Sequence, residues 1–184
     1  MTEPEGAPRR GGRWHPLAGR RGAAYLLDAV GYLGVALATV PIGLAVQAAG
    51  PPSRTVVLAL SAIPPVVATV WAARAESARG ATWGKRRLGL RVVADDAAPL
   101  TFARGLVRNA VKIAVPWQVG HVLAVGAAFG RFDEMDPLTL GAGILTYPLL
   151  GAMIWAVAWG AGRGLHDRVA RTRVVGEPAG GSSS

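Results

Sequence analysis

The stretch AAYLLDAVGYLGVALATVPIGLAVQAA, residues 23–49, decides the fold class of this chain. It is apolar except for one charged side chain, Asp28, and it is long enough to cross a hydrocarbon layer of about 30 Å as a helix. Inserting a carboxylate at mid-membrane costs roughly 2.5–3.5 kcal/mol. A carboxylate kept at this cost is expected to have a stabilising partner group or a functional role, so Asp28 is the first candidate functional residue.

Similar apolar blocks recur through the 184 residues, of which 51% are hydrophobic. Soluble domains of this length show short alternating patterns instead, so the blocks predict an all-α membrane protein. The four predicted spans cover about residues 23–49, 55–73, 113–130 and 138–162. The first run is longer than the apolar core of a cleaved signal peptide and contains Asp28, which favours a retained span. The third run is interrupted by Pro116, Gln118 and His121, and a three-span alternative makes it re-entrant or superficial.

The segments outside the apolar blocks divide the chain. Residues 1–22 are rich in Gly, Pro and Arg, which predicts a disordered basic tail on the cytosolic side. Residues 176–184 predict a flexible tail, so that residues 23–175 form a single transmembrane domain. Within it, Pro64-Pro65 should kink the second span.

The polar centre of the chain predicts two smaller features. Thr101 can cap a helix in which Arg104, Arg108 and Lys112 recur every four residues and share one face. This pattern predicts a basic amphipathic helix lying at the cytosolic membrane surface. Two similar short segments, Leu90–Val93 and Thr172–Val175, are candidates for a small two-stranded β pair.

The distribution of the 20 Lys and Arg residues predicts the topology. With four spans, all of them except Arg54 and Arg131 fall on one side, whereas three spans would separate the two basic tails. The positive-inside rule therefore places both termini in the cytosol of a cell whose plasma (inner) membrane the chain crosses several times. Orientation and contact with anionic lipids explain the net charge of +9, so we expect lipid and no nucleic acid as the partner.

Four motifs resemble a known family. Residues 21–28 (RGAAYLLD) open the first span, residues 80–93 (GATWGKRRLGLRVV) follow the second, residues 106–109 (LVRN) lie in the amphipathic helix, and residues 164–175 (GLHDRVARTRVV) end the domain. Together, over about residues 17–175, they resemble the RDD family of small, mostly bacterial membrane proteins. The family is named after one arginine and two aspartates.

The resemblance implies the residues and the activity to expect. The family arginine would be Arg21, and the two aspartates would be Asp28 and Asp167. Arg171 stands where the closing motif often has a small residue such as glycine. A transport role is often suggested for the family, and some members are proposed as cation/proton antiporters.

The candidate transport or ion-pair residues are Arg21, Asp28, Arg108, Asp167 and His121. Arg21 and Asp28 share a helical face about 10 Å apart along the axis, so a group from another segment should lie between them. We expect Arg21, Arg108 and Asp167 to cluster at the cytosolic interface, with Asp28 facing them from within. Asp28 is then either a proton or cation site or part of a structural ion pair. His121 either lines a polar path or hydrogen-bonds a neighbouring helix.

The remaining basic residues are candidates for binding lipid phosphates. This set comprises Lys85, Arg86, Arg87, Arg104 and Lys112. The glycines near Lys85 do not form a nucleotide-binding loop, because the spacing is one residue short and Arg86 replaces the required Ser or Thr.

Two functions from different classes remain open. The first is transport of a small solute or of cations and protons, with Asp28 as the coupling carboxylate. The second is a non-transporting accessory or scaffold subunit that binds anionic lipids in a homo-oligomer or larger membrane complex. The scattered histidines and the lack of cysteines predict no metal site, no cofactor and no enzymatic activity.

Overall fold

The computed structural model describes residues 13–96 and 98–176, and most of them are helical. Four stretches in this part of the chain are long and apolar enough to cross a membrane. We call them spans one to four: Ala18–Ala48, Arg54–Arg79, Phe102–Ala128 and Pro137–Ala158. The predicted four-span helical architecture is therefore confirmed, and the helices run up and down so that spans one and three begin where spans two and four end.

The described chain forms the following elements in order. They are α1 (Ala18–Ala38), α2 (Val40–Ala48), α3 (Arg54–Ser61), α4 (Ile63–Arg79), α5 (Trp83–Arg87), β1 (Leu90–Ala94), α6 (Phe102–Asn109), a π-helical turn (Ala110–Ala114), α7 (Val115–Ala128), α8 (Pro137–Ala158), α9 (Leu165–Val169) and β2 (Thr172–Gly176).

Prolines interrupt the first two spans. Span two breaks at Ala62, directly before Ile63 and the Pro64-Pro65 pair, because a proline has no N–H for the helical ladder and fits best in a first turn. Span one breaks in the same way at Thr39, before Pro41. A kink at Pro64-Pro65 was predicted for span two, and Pro41 interrupts span one without having been predicted to do so.

Span three differs from the prediction of a separate surface helix. Residues 102–109 form α6 as expected, with Thr101 accepting the N–H of Arg104, but the helix continues without a break into the third span. α6 and α7 are joined by the π-helical turn before Pro116. The extra residue in this turn accommodates the absence of a backbone N–H at the proline. As a result, Arg108 and Lys112 are buried in the protein instead of facing a membrane surface.

The two-stranded sheet lies at one end of the bundle. The strands β1 and β2 pair antiparallel, with Leu90 opposite Gly176 and Ala94 opposite Thr172, which confirms the predicted pair. Leu90 and Val174 pack with Ala24 of α1 in a small apolar core, so the sheet is fixed to the start of span one. We call this end, where spans one and three begin and spans two and four end, the charged end.

The opposite end is closed by a bidentate ion pair. Arg54, at the start of span two, donates to both oxygens of Asp136, at 3.2 and 2.9 Å. Asp136 also accepts the N–H of Thr139 and so caps span four. In the neighbouring span three, Gly126 leaves no room for a side chain against Thr139, so this glycine allows spans three and four to pack closely.

The ends of the domain differ from the predicted boundaries. Span one begins at Ala18, inside the stretch expected to be disordered. Trp14 forms an isolated antiparallel β-bridge with Trp159 at the end of span four. Gly176, expected in the flexible tail, ends β2. Residues 1–12 and 177–184, on which the rest of both tail predictions falls, lie outside the described residues.

Candidate functional site

Ionisable side chains from five helices meet inside the charged end. Together with the hydroxyl of Thr82, they form a continuous series of hydrogen bonds that we call the charge network. Its members, in bonding order, are Asp28, Thr82, Lys85, Glu76, Arg108, Asp167 and Arg21. Every member except Arg21 is buried as a whole residue, and the side chain of Arg21 is only 8% exposed. Such burial is costly unless each charge has a partner, so the contacts of each carboxylate decide what the site can do.

Glu76 is the centre of the network. It is 0% exposed and follows Ala68 and Ala72 at four-residue intervals, on the face of α4 that packs into the bundle. One carboxylate oxygen accepts Lys85 Nζ and Arg108 Nη1, both at 2.7 Å. The other accepts Asn109 Nδ2 at 2.8 Å. Glu76 therefore ties α4 to both α5 and α6.

Asp167 joins the end of the domain to spans one and three. Arg108 donates to Asp167 Oδ1 from Nε at 3.1 Å and from Nη2 at 3.0 Å, and Arg21 donates to Oδ2 at 2.5 Å. The same carboxylate accepts the N–H of Gly164 and so caps the short helix α9. Arg21 also donates to the carbonyl of Gly162. The carboxylate of Asp167 is thereby fixed by two arginines and one backbone donor.

Asp28 is held differently from the other two buried carboxylates. Its Oδ2 accepts the hydroxyl of Thr82 at 2.6 Å and its Oδ1 accepts the N–H of Gly84 at 2.8 Å. Gly84 lies in the first turn of α5, where N–H groups lack helical partners, and a side chain there would collide with the carbonyl of Ala24. Among the described residues, no Lys, Arg or His nitrogen lies within 4.0 Å of Asp28, which is therefore hydrogen-bonded but not ion-paired.

Lys112 is a buried cation beside the network. Its residue is 8% exposed, and its ammonium lies 5.0 Å from the ring centroid of Tyr25. No described carboxylate is within 4.0 Å of it. A cation over an aromatic face gains roughly 0.5–2 kcal/mol, which does not replace a counter-ion in a buried setting.

The electrostatics at α9 favour a charged Asp167 and a neutral His166. Burial by itself would raise the pKa of Asp167, but the charges of Arg108 and Arg21 outweigh it and hold that pKa below its ordinary value. Burial lowers the pKa of the neighbouring His166 to about 2, and the charge of Arg108 acts in the same direction. His166 is therefore neutral at physiological pH.

The structure brings together four of the five residues singled out as transport or ion-pair candidates. Arg21, Arg108 and Asp167 are in direct contact, and Asp28 joins them through Thr82, Lys85 and Glu76. His121 lies elsewhere, in α7, where its Nδ1 contacts the carbonyl of Trp117 at 3.0 Å and its ring stacks on the same residue.

The basic residues proposed as lipid-phosphate contacts fall into two groups. Arg86 and Arg87 are exposed and Arg104 is half-buried, so they remain available to a surface. Lys85 and Lys112 are buried, and Lys85 is ion-paired with Glu76. Their burial explains why a charge count alone could not separate surface contacts from interior ones.

Sequence reasoning missed Glu76, Thr82, Gly84 and Asn109. Glu76 stands between Arg74 and Arg79, in the polar centre of the chain. The signal that identifies it is periodicity, because a carboxylate that continues a face of small residues is carried into the helix interface. Thr82 and Gly84 carried no such signal, since their partner lies on another helix.

These features define a class of protein: a multi-pass helical membrane protein with a buried charge network at one end of its bundle. The sequence profile of the RDD family matches residues 15–171, so the chain belongs to the RDD family. Arg21, Asp28 and Asp167, which the resemblance matches to the family arginine and the two family aspartates, are all members of the network. No curated protein matches the chain. No solved structure matches it.

Proposed function

We propose that this RDD-family protein moves protons or small cations across a membrane, with Asp28 as the exchanging carboxylate. The observation that supports the proposal is the difference among the three buried carboxylates. Glu76 and Asp167 are each ion-paired with two cationic side chains, whereas Asp28 is held by one hydroxyl and one backbone N–H.

This difference matters because a transport site must change its charge or its bound ion during each cycle. A proton on Glu76 or Asp167 would leave buried cations uncompensated, at a cost of several kcal/mol. A proton or a small cation on Asp28 leaves the ion pairs of both other carboxylates intact. Intramembrane carboxylates with this freedom are typical of proton relays and ion sites.

A second candidate is a non-transporting accessory subunit. It is favoured by the apolar cluster of Tyr32, Ala68, Ala72 and Ile113, which lies next to the network on the side away from the charged end. Each of these residues lies one to two helical turns further from the charged end than a network residue of the same span. Transport through one chain would require this cluster to open, whereas an accessory role requires no such movement.

The orientation and compartment belong to the same proposal. The excess of Lys and Arg at the charged end supports a cytosolic position for that end and for both termini, in the plasma membrane of a bacterium. A homo-oligomer or a larger complex would enlarge the substrate path, because four spans offer little room for one.

The test is ion flux through purified protein in vesicles. We expect an imposed sodium or potassium gradient to change the signal of an enclosed pH dye, and the Asp28→Asn variant to abolish the change. Asp133→Asn is the matched control, because Asp133 is an exposed carboxylate far from the network. A flux that Asp28→Asn leaves intact would exclude Asp28 as the exchanging group.

The accessory alternative has its own outcome in the same experiment. An absence of flux with protons, sodium and potassium in folded, correctly oriented protein would remove the transport proposal. Co-purification of one constant membrane partner, retained by Asp28→Asn, would then support the accessory role.

A further inference from the structure

A large cleft opens beside the charge network between spans one, three and four. Its volume is about 790 Å³, which falls within the range of about 300–1,000 Å³ typical of small-molecule sites. Span four packs extensively on α7 but only loosely on α1, so the cleft opens where spans one and four are loosely packed. Leu26, Leu33 and Ile154 along this seam are exposed, which means that the cleft opens sideways toward the surroundings of the spans.

The cleft has a polar end and an apolar end. Arg21, Lys112 and His166 line it at the level of the charge network. Leu33, Leu150 and Ile154 line it further along the spans, toward the middle of the bundle. A ligand that fits both ends has a charged group at one end and a hydrocarbon chain at the other.

The charges at the polar end specify the sign of that group. With their usual charges, Arg21, Lys85, Arg108 and Lys112 outnumber the three carboxylates of the network by one. Of these four cations, Lys112 has no carboxylate of the described residues within 4.0 Å, and it is itself a lining residue. One anionic group against Lys112 would remove the cost of burying an uncompensated ammonium and balance the formal charges.

We propose that the cleft binds one anionic phospholipid of the surrounding bilayer, with its phosphate against Lys112 and one acyl chain along Leu33 and Ile154. The lipid enters sideways from the leaflet at the charged end. This site is distinct from the exposed basic surface formed by Arg86 and Arg87, where headgroups would bind without an enclosed chain. The proposal does not depend on ion transport by Asp28.

The test is native mass spectrometry of the full chain in detergent after removal of co-purified lipid. We expect dioleoyl-phosphatidylglycerol to bind with a stoichiometry of one and at least about tenfold more tightly than dioleoyl-phosphatidylcholine. Lys112→Met should remove this preference. Arg87→Gln is the matched control for a surface cation and should leave it unchanged.

A second pair of variants tests the cleft without changing a charge. Gly22 lines the cleft, and a Cβ added there meets no described residue within 4 Å, so Gly22→Leu should block the site. Gly19 also has open space with respect to the described residues but does not line the cleft, so Gly19→Leu should bind lipid normally.

Several results would overturn the proposal. Equal binding of the two lipids, or equal effects of Gly22→Leu and Gly19→Leu, would exclude a charge-selective site in the cleft. Binding of glycerol phosphate as tight as that of the lipid would assign the site to a free phosphate. A lipid-free dimer that Gly22→Leu dissociates would assign the cleft to a second copy of the chain.

Discussion

Replacing Glu76 by glutamine tests whether the charge network stabilises the fold. The change keeps the shape of the side chain but removes the negative charge that faces Lys85 and Arg108. Arg108 still has Asp167, at 3.1 and 3.0 Å, so it stays paired. Lys85 is left with uncharged acceptors, the amide oxygen of the new glutamine and the hydroxyl of Thr82 at 3.1 Å, so it becomes a buried cation without a counter-ion.

The expected cost follows from that single uncompensated charge. Breaking a buried ion pair by removing one partner destabilises a protein by about 3–5 kcal/mol. Because glutamine keeps one acceptor and Lys85 has one remaining hydrogen bond, we expect a loss of about 3 kcal/mol in the free energy of unfolding. Removing the orphaned cation as well, in Glu76→Gln with Lys85→Met, should recover about half of this loss, since paired sites in one network are not additive.

The measurement is the unfolding equilibrium in mixed micelles, followed by tryptophan fluorescence for the single and double variants. Glu134→Gln is the control, because Glu134 is exposed and its ion pair with Arg131 is worth less than about 1 kcal/mol. If Glu76→Gln unfolds like the control, or if Lys85→Met makes the loss larger, the network does not hold the helices together in the way its geometry indicates.

Three further predictions address single residues. Arg171 has a backbone φ of 52°, which costs a non-glycine residue about 1–2 kcal/mol, so Arg171→Gly should raise stability by about 1 kcal/mol whereas Arg171→Ala should not. Gly84→Ala should lower stability by about 2 kcal/mol, because the new methyl group would collide with the carbonyl oxygen of Ala24; Gly19→Ala has open space among the described residues and serves as control. His166 has a folded pKa of about 2 against an ordinary value of 6.5, so the unfolded chain binds more protons below that value. Above about pH 6.5 His166 is neutral in both states and does not reduce the stability of the fold. As the pH falls to about 5.5, the unfolded chain takes up a proton that the folded protein does not, so the free energy of unfolding falls by about 1 kcal/mol. His166→Gln should reduce that loss, as measured by unfolding titrations at the two pH values.

The membrane-spanning architecture could be predicted because each span is a local property of the sequence. Length and hydropathy are read from one continuous segment, and backbone groups in lipid must bond within that segment. The sheet could also be predicted, since Leu90–Val93 and Thr172–Val175 have the same pattern. Whether the basic face of α6 lies at the membrane surface or inside the protein was harder to predict. A helix with Arg108 and Lys112 on one face has the same sequence pattern whether that face meets lipid phosphates or a buried carboxylate.

Part of the site could also be predicted from the sequence. Asp28 followed from its place as the one charge in an apolar run, Arg21 and Asp167 followed from the family motifs, and Arg108 followed from its position on a polar helical face. Their partners required the tertiary structure, since Glu76 meets Arg108 only when α4 packs on α6. The expectation of a small residue such as glycine at position 171 has a physical reason, because the left-handed backbone there suits glycine and strains arginine.

The unequal environments of the buried carboxylates allow stability and activity to be separated. Asp28→Asn leaves one hydrogen-bond donor, from Thr82 or Gly84, without a good acceptor, which costs about 1–3 kcal/mol, but it leaves no cation unpaired within the described network. Glu76→Gln removes a counter-ion and should therefore lower stability more than Asp28→Asn does. If Asp28 is the exchanging group, its variant loses ion flux while remaining folded under conditions that unfold the Glu76 variant. A larger loss of stability at Asp28 than at Glu76 would reverse the assignment and make Asp28 the structural carboxylate.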